Sequence, residues 1–266
     1  MEENYSFIKS TNTAKLTSLK NNWLESLTSP QDGMWASFRN SATQWGIVCG
    51  DKMIGYASVD ESNQLLQFYI SPNQLSNGKD IFKEFIDQQK IKRGMVGTNN
   101  PIFLSIALNF VKELNVHTYL FRNSYEVNVD KKEGILKVCQ NEDLERIVDF
   151  CHYSMGAPKE WLVGYINGLI KRQEIFSLED DGKIIGTCEV RKSTSAPEFA
   201  DIGMVVSPDY RRKGYGIYLL NKAKSIALEW GKTPICSCEK DNVGSKKSIN
   251  NCGFVSMYQL LSIDFN

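Results

Sequence analysis

VVSPDYRRKGYGIYLLNKAKSIALEWG, residues 205–231, decides how the rest of this chain is read. Two valines close an apolar strand, Ser207 and Pro208 turn the chain, and Arg211, Arg212 and Lys213 put three cations in a row. Gly214 and Gly216 follow, then Ile217, Leu219, Leu220, Ala223, Ile226 and Ala227 recur at helical spacing until Gly231. This is a strand, a loop and a helix, with the glycines at the helix start. Glycine lets the main chain approach a ligand closely, and its N–H groups join the orphan donors of the first helical turn. The helix dipole adds partial positive charge at the same point, so the stretch is shaped for phosphate oxygens.

Spacing narrows the ligand. A P-loop needs Gly, four residues, then Gly-Lys-Ser or Gly-Lys-Thr, which the chain lacks, and a dinucleotide fingerprint needs a glycine where Leu219 stands. The pattern Arg/Gln-x-x-Gly-x-Gly/Ala is met by Arg211, Gly214 and Gly216, with the main chain between them wrapping a pyrophosphate. The candidate contacts are thus Arg211, Arg212, Lys213, Gly214, Tyr215 and Gly216. Taken alone, the same residues also fit a solvated turn.

Working outward, DKMIGYASV at 51–59 has a counterpart in GKIIGTCEV at 182–190. Each follows an apolar stretch and precedes a strand ending in Ser-Pro, LLQFYISP at 65–72 and FADIGMVVSP at 199–208. One plan is used twice: a hairpin turning at Gly-Asp-Lys or Asp-Gly-Lys, a third antiparallel strand, a helix and a further strand. The spacing predicts helices at 80–91, 101–114, 216–230 and 242–250, and strands at 94–98, 116–121, 233–239 and 254–265. LKVCQNEDLERIVDFC reads as a strand entering a helix capped by Asn141. The polar stretch 123–134 puts the join near residue 130, giving domains 1–129 and 130–266. After its Ser-Pro the first copy reads NQLSNGKDIF, with one glycine, Gly78, and no arginine.

Composition sets the background. With 31 Lys plus Arg against 31 Asp plus Glu, the basic excess of a nucleic-acid binder is absent, and the local cations suit a small anion. No apolar run approaches the ~20 residues of a membrane span, and MEENYSFIKSTNTAKL has no secretory pattern, so a cytoplasmic protein is expected. Seven cysteines without a Cys-x-x-Cys pair, and two distant histidines, argue against a metal site or a disulfide framework. Cys236 and Cys238, on one strand face, read as small buried hydrophobes.

The 205–231 stretch resembles the acetyl-coenzyme A signature of the GNAT superfamily of N-acetyltransferases. DNVGSKKSINNCGF is similar to the segment that follows it in the family, with Asn242, Ser245, Gly253 and Phe254 in the matching places. The resemblance covers about 137–266, with the first half as a degenerate copy. It implies an α/β (α+β) fold of two GNAT-like domains, each a mixed, mostly antiparallel sheet flanked by helices. It further implies acetyl transfer from acetyl-CoA, without a metal, to a primary amine of a small molecule or peptide. The cofactor would lie against Met204, Val205 and Val206, the Val206 N–H meeting the thioester oxygen, and against Asn242 and Ser245.

A base must help deprotonate the amine, and Glu189 and Asp201, on the third and fourth strands, are the candidates. Where many members carry a Tyr to protonate the departing thiolate, this chain has Ile249; water or Tyr258 could act instead. The segment 151–168 corresponds to the region flanking the acceptor cleft, which Tyr153, Trp161 and Tyr165 would line. The first copy would wall off part of that cleft or simply stabilise the second. A binding module that keeps the coenzyme cradle without turnover is the alternative, and a paired-domain monomer and a homodimer read alike.

Overall fold

The computed structural model describes residues 4–10 and 16–266, which form a mixed α/β structure. Two compact units emerge, one of residues 1–119 with 258–266 and the other of 120–257. The first contains β1 (Tyr5–Lys9), α1 (Thr17–Ser26), α2 (Gly33–Ser41), β2 (Thr43–Cys49), β3 (Lys52–Val59) and β4 (Gln64–Ile70). After a 3-10 turn come α3 (Gly78–Gln88), β5 (Arg93–Gly97) and α4 (Pro101–Ala107), and β6 (Val111–Asn123) leads into the second unit. There follow β7 (Ile135–Val138), α5 (Leu144–Met155), α6 (Lys159–Lys171), β8 (Ile175–Asp180), β9 (Lys183–Lys192) and β10 (Phe199–Val206). The chain ends with α7 (Tyr215–Glu229), β11 (Thr233–Glu239), α8 (Val243–Asn251) and β12 (Phe254–Phe265).

In the first unit the strand order is β1-β2-β3-β4-β5-β12, antiparallel except for β4 with β5. Aromatic residues dominate one face: Phe68, Phe82, Phe85 and Phe103 pack with Phe265 from the last strand. Phe82 meets Phe68 at 4.9 Å and Phe265 at 5.5 Å, both edge-on, the favoured arrangement for aromatic quadrupoles.

The second unit runs β11-β10-β9-β8-β7, antiparallel except for β10 with β11. Its β8–β9 hairpin turns through Asp181 and Gly182, both at positive φ, which matches the twist of the flanking strands. Buried Ile147, Val148, Leu162, Ile166 and Leu169 join α5 and α6 to the sheet, while Leu219, Leu220, Ala223 and Ala227 anchor α7. At the end of α7, the N–H of Gly231 donates to Leu228 and that of Lys232 to Ala227, so the last carbonyls are satisfied. Lys224 is buried on the same helix, its ammonium donating to the carbonyls of Tyr125 and Cys252 and lying 3.3 Å from Glu126.

Two local expectations are corrected. The helix expected over 101–114 ends at Ala107, and β6 begins at Val111 after a short 3-10 turn. Asn109 stops it by donating its amide to the carbonyls of Ser105 and Ile106, competing with continued helix. Ahead of α5 the cap is Gln140 rather than Asn141: Gln140 and Asp143 bond each other's backbone N–H groups reciprocally. Among the described residues no helix is long and apolar enough to cross a membrane, and no cluster of metal-ligating side chains occurs.

Candidate active site

The site begins where two strands part. β10 pairs with β9 as far as Val206, but with β11 only from Phe199 to Asp201. From Ile202 onward β10 therefore diverges from β11, and a wedge opens on that side of Met204, Val205 and Val206.

Beyond the wedge, Pro208–Tyr210 forms a 3-10 turn, and Arg212 and Gly214 take left-handed conformations at φ +61° and +86°. Gly214 is the N-cap of α7, and no side chain caps this helix; the first main-chain bond runs from the Tyr218 N–H to the Gly214 carbonyl. The N–H groups of Tyr215, Gly216 and Ile217 precede that bond and have no intrahelical acceptor. The positive end of a 15-residue helix is thus left for an anion.

Space is tight at Gly216. A Cβ there would stand 3.1 Å from Ser248 Oγ and 3.6 Å from Met204 Cε, so the main chain lies where β10, α7 and α8 converge. At Gly214 the nearest atom to such a Cβ is Cε of Lys132, at 3.0 Å, with the ammonium at 3.3 Å. Ser248 and Lys132 lie outside the residues expected from sequence. Ser248 is three residues past Ser245 on the same helix, a signal the spacing contained, whereas Lys132 lies in a polar stretch with no periodicity to place it.

The three cations differ. Arg211 donates to the Val206 carbonyl at 3.3 Å and to the Ser154 carbonyl at 2.5 Å, tying the loop to β10 and to the end of α5. Its charge therefore holds the loop's shape. Arg212 and Lys213 are exposed, Lys213 lying 5.3 Å over the Tyr210 ring, which Tyr215 meets edge-on. Asn242 caps α8 by accepting from the Ser245 N–H at 3.0 Å, so this pair shapes the helix start. Ile249, where the family often has a Tyr, is a core residue at 2% exposure.

Glu189 sits directly across from Gly203 in the β9–β10 pairing, and its carboxylate lies over that glycine: a Cβ on Gly203 would come 2.8 Å from Oε1. Tyr165 donates its hydroxyl to Glu189 Oε2 at 2.6 Å, and Trp161 stacks on Tyr165 at 4.8 Å and 14°. Arg191 Nε is 3.5 Å from Oε1. Three of the expected residues thus form one cluster, a carboxylate held by a phenol and flanked by an indole that is 44% exposed.

The other candidates are placed elsewhere. Asp201 is 1% exposed and stands opposite Arg191 in the strand register, a position that sets opposite charges side by side across the two strands. Tyr153 is largely exposed on α5 and makes no ring or hydrogen-bond contact with the cluster. Tyr258 belongs to the first unit, where its hydroxyl donates to the Thr28 carbonyl at 3.4 Å. Burial pushes the Cys139 thiol up to about 11 and that of Cys151 up to about 12, so neither supplies a thiolate near neutral pH.

A family model described as "Acetyltransferase (GNAT) domain" matches residues 12–124, and one described as "Acetyltransferase (GNAT) family" matches 138–254. Among solved structures, an acetyltransferase of the GNAT family from Colwellia psychrerythraea is similar over 98% of this chain and 100% of its own, with 27% identity and a TM-score of 0.93. A GCN5-related N-acetyltransferase from Sphaerobacter thermophilus has the same fold at 14% identity, covering 98% of this chain and 95% of its own with a TM-score of 0.66. So does a tandem GNAT protein from the clavulanic acid biosynthesis pathway, at 13% identity over 98% of each chain and a TM-score of 0.66. None of the curated proteins matches the chain. With one family model on each half, and with the strand wedge and the uncapped helix in place, the chain belongs to the GNAT acetyltransferases and carries two of their domains in tandem.

Proposed function

We propose that the second unit transfers an acetyl group from acetyl-coenzyme A to a primary amine of a small molecule or peptide. One observation carries this reading: the uncapped start of α7, where a side chain at 216 would fill the space between Met204 and Ser248. The residues fit the cofactor. Main-chain donors from Tyr215 to Ile217 would hold its diphosphate, with Arg212 and Lys213 exposed beside them, and the unpaired edge of β10 at Met204–Val206 would take the pantetheine arm as an added strand. When bound, acetyl-CoA supplies an activated acyl group and a thiol leaving group whose ordinary pKa is about 8.5.

Glu189 is the base in this scheme. An alkylamine resembles lysine, with a pKa of about 10.4, and arrives charged at neutral pH. The Glu189 carboxylate takes its proton directly or through one water, while the 2.6 Å bond from Tyr165 holds Oε2 and Arg191 Nε stands 3.5 Å from Oε1, together fixing the rotamer. Trp161, stacked on Tyr165 and partly exposed, gives an acceptor an aromatic wall. Asp201 shares that face of the sheet but lacks access, so it positions Arg191 rather than touching substrate. The protein works in the cytoplasm on small or peptide amines, as a monomer or a homodimer, with no nucleic-acid partner.

A second reading, an acyl-CoA-binding module without turnover, is favoured by Ile249, because the place of the family's proton donor is filled by a core side chain. Calorimetry with coenzyme A, followed by thiol release from acetyl-CoA with a panel of polyamines, aminoglycosides, amino acids and short peptides, tests both. Binding with amine-dependent thiol release supports transfer, binding alone supports the module, and no binding overturns both.

A further inference from the structure

The first unit has a polar cluster that the acetyl-transfer site does not use. On β3 and β4, the face that meets α1 and α2 carries Tyr56, Ser58, Gln67 and Tyr69, which the register places side by side. Trp23 of α1 packs edge-on against Tyr56 at 6.4 Å, and Tyr56 lies 6.0 Å from Tyr69. Over the Trp23 ring, at 4.1 Å, lies the guanidinium of Arg39, which is only 6% exposed and bonded to Gln31. Lys20 lies 5.9 Å over the Tyr56 ring.

Among the described residues no carboxylate is in ion-pair reach of Arg39 or Lys20, and the nearby Glu25 acts on Tyr69. Arg39 is buried with Gln31 and the Trp23 ring for partners, and Lys20 is half-buried; a buried charge is ordinarily offset by an opposite one, because its lost hydration is otherwise only partly replaced. Burial accordingly lowers the Arg39 pKa to about 10 and draws that of Lys20 down, with the Arg39 charge adding to the latter effect.

Around these cations, three buried polar atoms lack hydrogen-bond partners: Trp23 Nε1, the Tyr56 hydroxyl and Gln67 Oε1. Trp23 and Tyr56 are 1% exposed and Gln67 is fully buried. Of eight such atoms among the described residues, these three gather in one place, two on the sheet face and one on the helix packed against it, beside two cations without a carboxylate, and that grouping is what points to a ligand. Two donors and two cations call for a carboxylate, and one free acceptor calls for an N–H group.

We propose that this face of the first unit binds a small amino-acid-type ligand. Its carboxylate is held by Arg39 and Lys20 with hydrogen bonds from Trp23 and Tyr56, and its N–H is received by Gln67. The site is independent of the acetyl-transfer reading, since every residue in it belongs to the first unit.

The test uses the full chain and, as probes, the twenty common amino acids, their N-acetyl derivatives and their carboxamides. Calorimetry and thermal shift are read for each. At least one acid binds and raises the melting temperature while its carboxamide does not; preference between the free and acetylated series tells whether an ammonium or an amide N–H is received. Tyr56→Phe keeps the fold, since it removes an unpartnered hydroxyl, and weakens binding roughly fivefold to tenfold. Arg39→Lys, which loses the planar fork, weakens it roughly tenfold or more. The proposal is overturned if no acid in the panel binds, if binding is undiminished in both variants, or if it is lost in Glu189→Gln, which would place the ligand in the second unit.

Discussion

The two units start a helix at the same point of the same plan, yet the two starts do opposite things. In the second, Gly214 takes a left-handed conformation and α7 begins with bare N–H groups. In the first, α3 begins at Gly78, which is buried and right-handed; a Cβ there would stand 2.9 Å from Ile70 Cδ1 and 3.1 Å from Ile106 Cδ1. One glycine leaves the N–H groups of a helix start bare, whereas the other lets a helix settle on apolar side chains. The strand wedge survives in both: β4 pairs with β5 only at Gln64 and Leu65, although it follows β3 to Ile70. Divergence of the strands belongs to the fold, and the form of the helix start belongs to the loop residues laid on it.

That contrast is sharpest at the glycines. Gly216→Val should weaken coenzyme A binding by more than about a hundredfold in calorimetry, because the new side chain meets Ser248 and Met204 and takes the place of the ligand. Gly78→Val should leave coenzyme A affinity unchanged in whatever fraction folds; a parallel loss would break the comparison. Next in size is the base. Glu189→Gln should lower kcat by about 10²–10⁴ with coenzyme A binding intact, while Ser58→Ala, at the matching position of the first copy, should leave kcat within about twofold, as befits a site away from the chemistry.

Smaller effects test the packing side. Gly78→Ala should cost about 1–3 kcal/mol in urea unfolding, through overpacking against Ile70 and Ile106. Tyr165→Phe should reduce kcat about fivefold, the worth of one hydrogen bond that orients a carboxylate, without changing stability much. An unchanged kcat would make Tyr165 a packing residue.

Much of this was legible in the sequence. The duplicated strand pattern, the helix ended at Gly231 and the loop from Arg211 to Gly216 are local features, set by turn residues and apolar period. Glu189, Trp161 and Tyr165 were each singled out from strand order and a family comparison, but their meeting in one cluster is visible only in the structure. What stayed hidden depends on distant partners. Nothing at Arg211 reveals that its guanidinium is bonded to the carbonyl of Ser154, 57 residues away, and nothing at Asp201 says that its side chain is buried. That Asn242 caps α8 was equally hidden, because capping and coenzyme motifs draw on the same residue types. The cluster around Arg39 left no sequence signal, since Trp23, Arg39, Tyr56 and Gln67 come from four separate elements.

The last strand carries one more implication. Residues 258–266 belong to the first unit, with Leu260 to Asp264 paired to β5 and Phe265 in its aromatic core. Those residues leave the ribosome after all of the second unit, so the N-terminal half cannot close its sheet during its own synthesis. It must wait, half-assembled, while the later half matures, and cutting the gene between the two family matches would strip one product of a strand it needs.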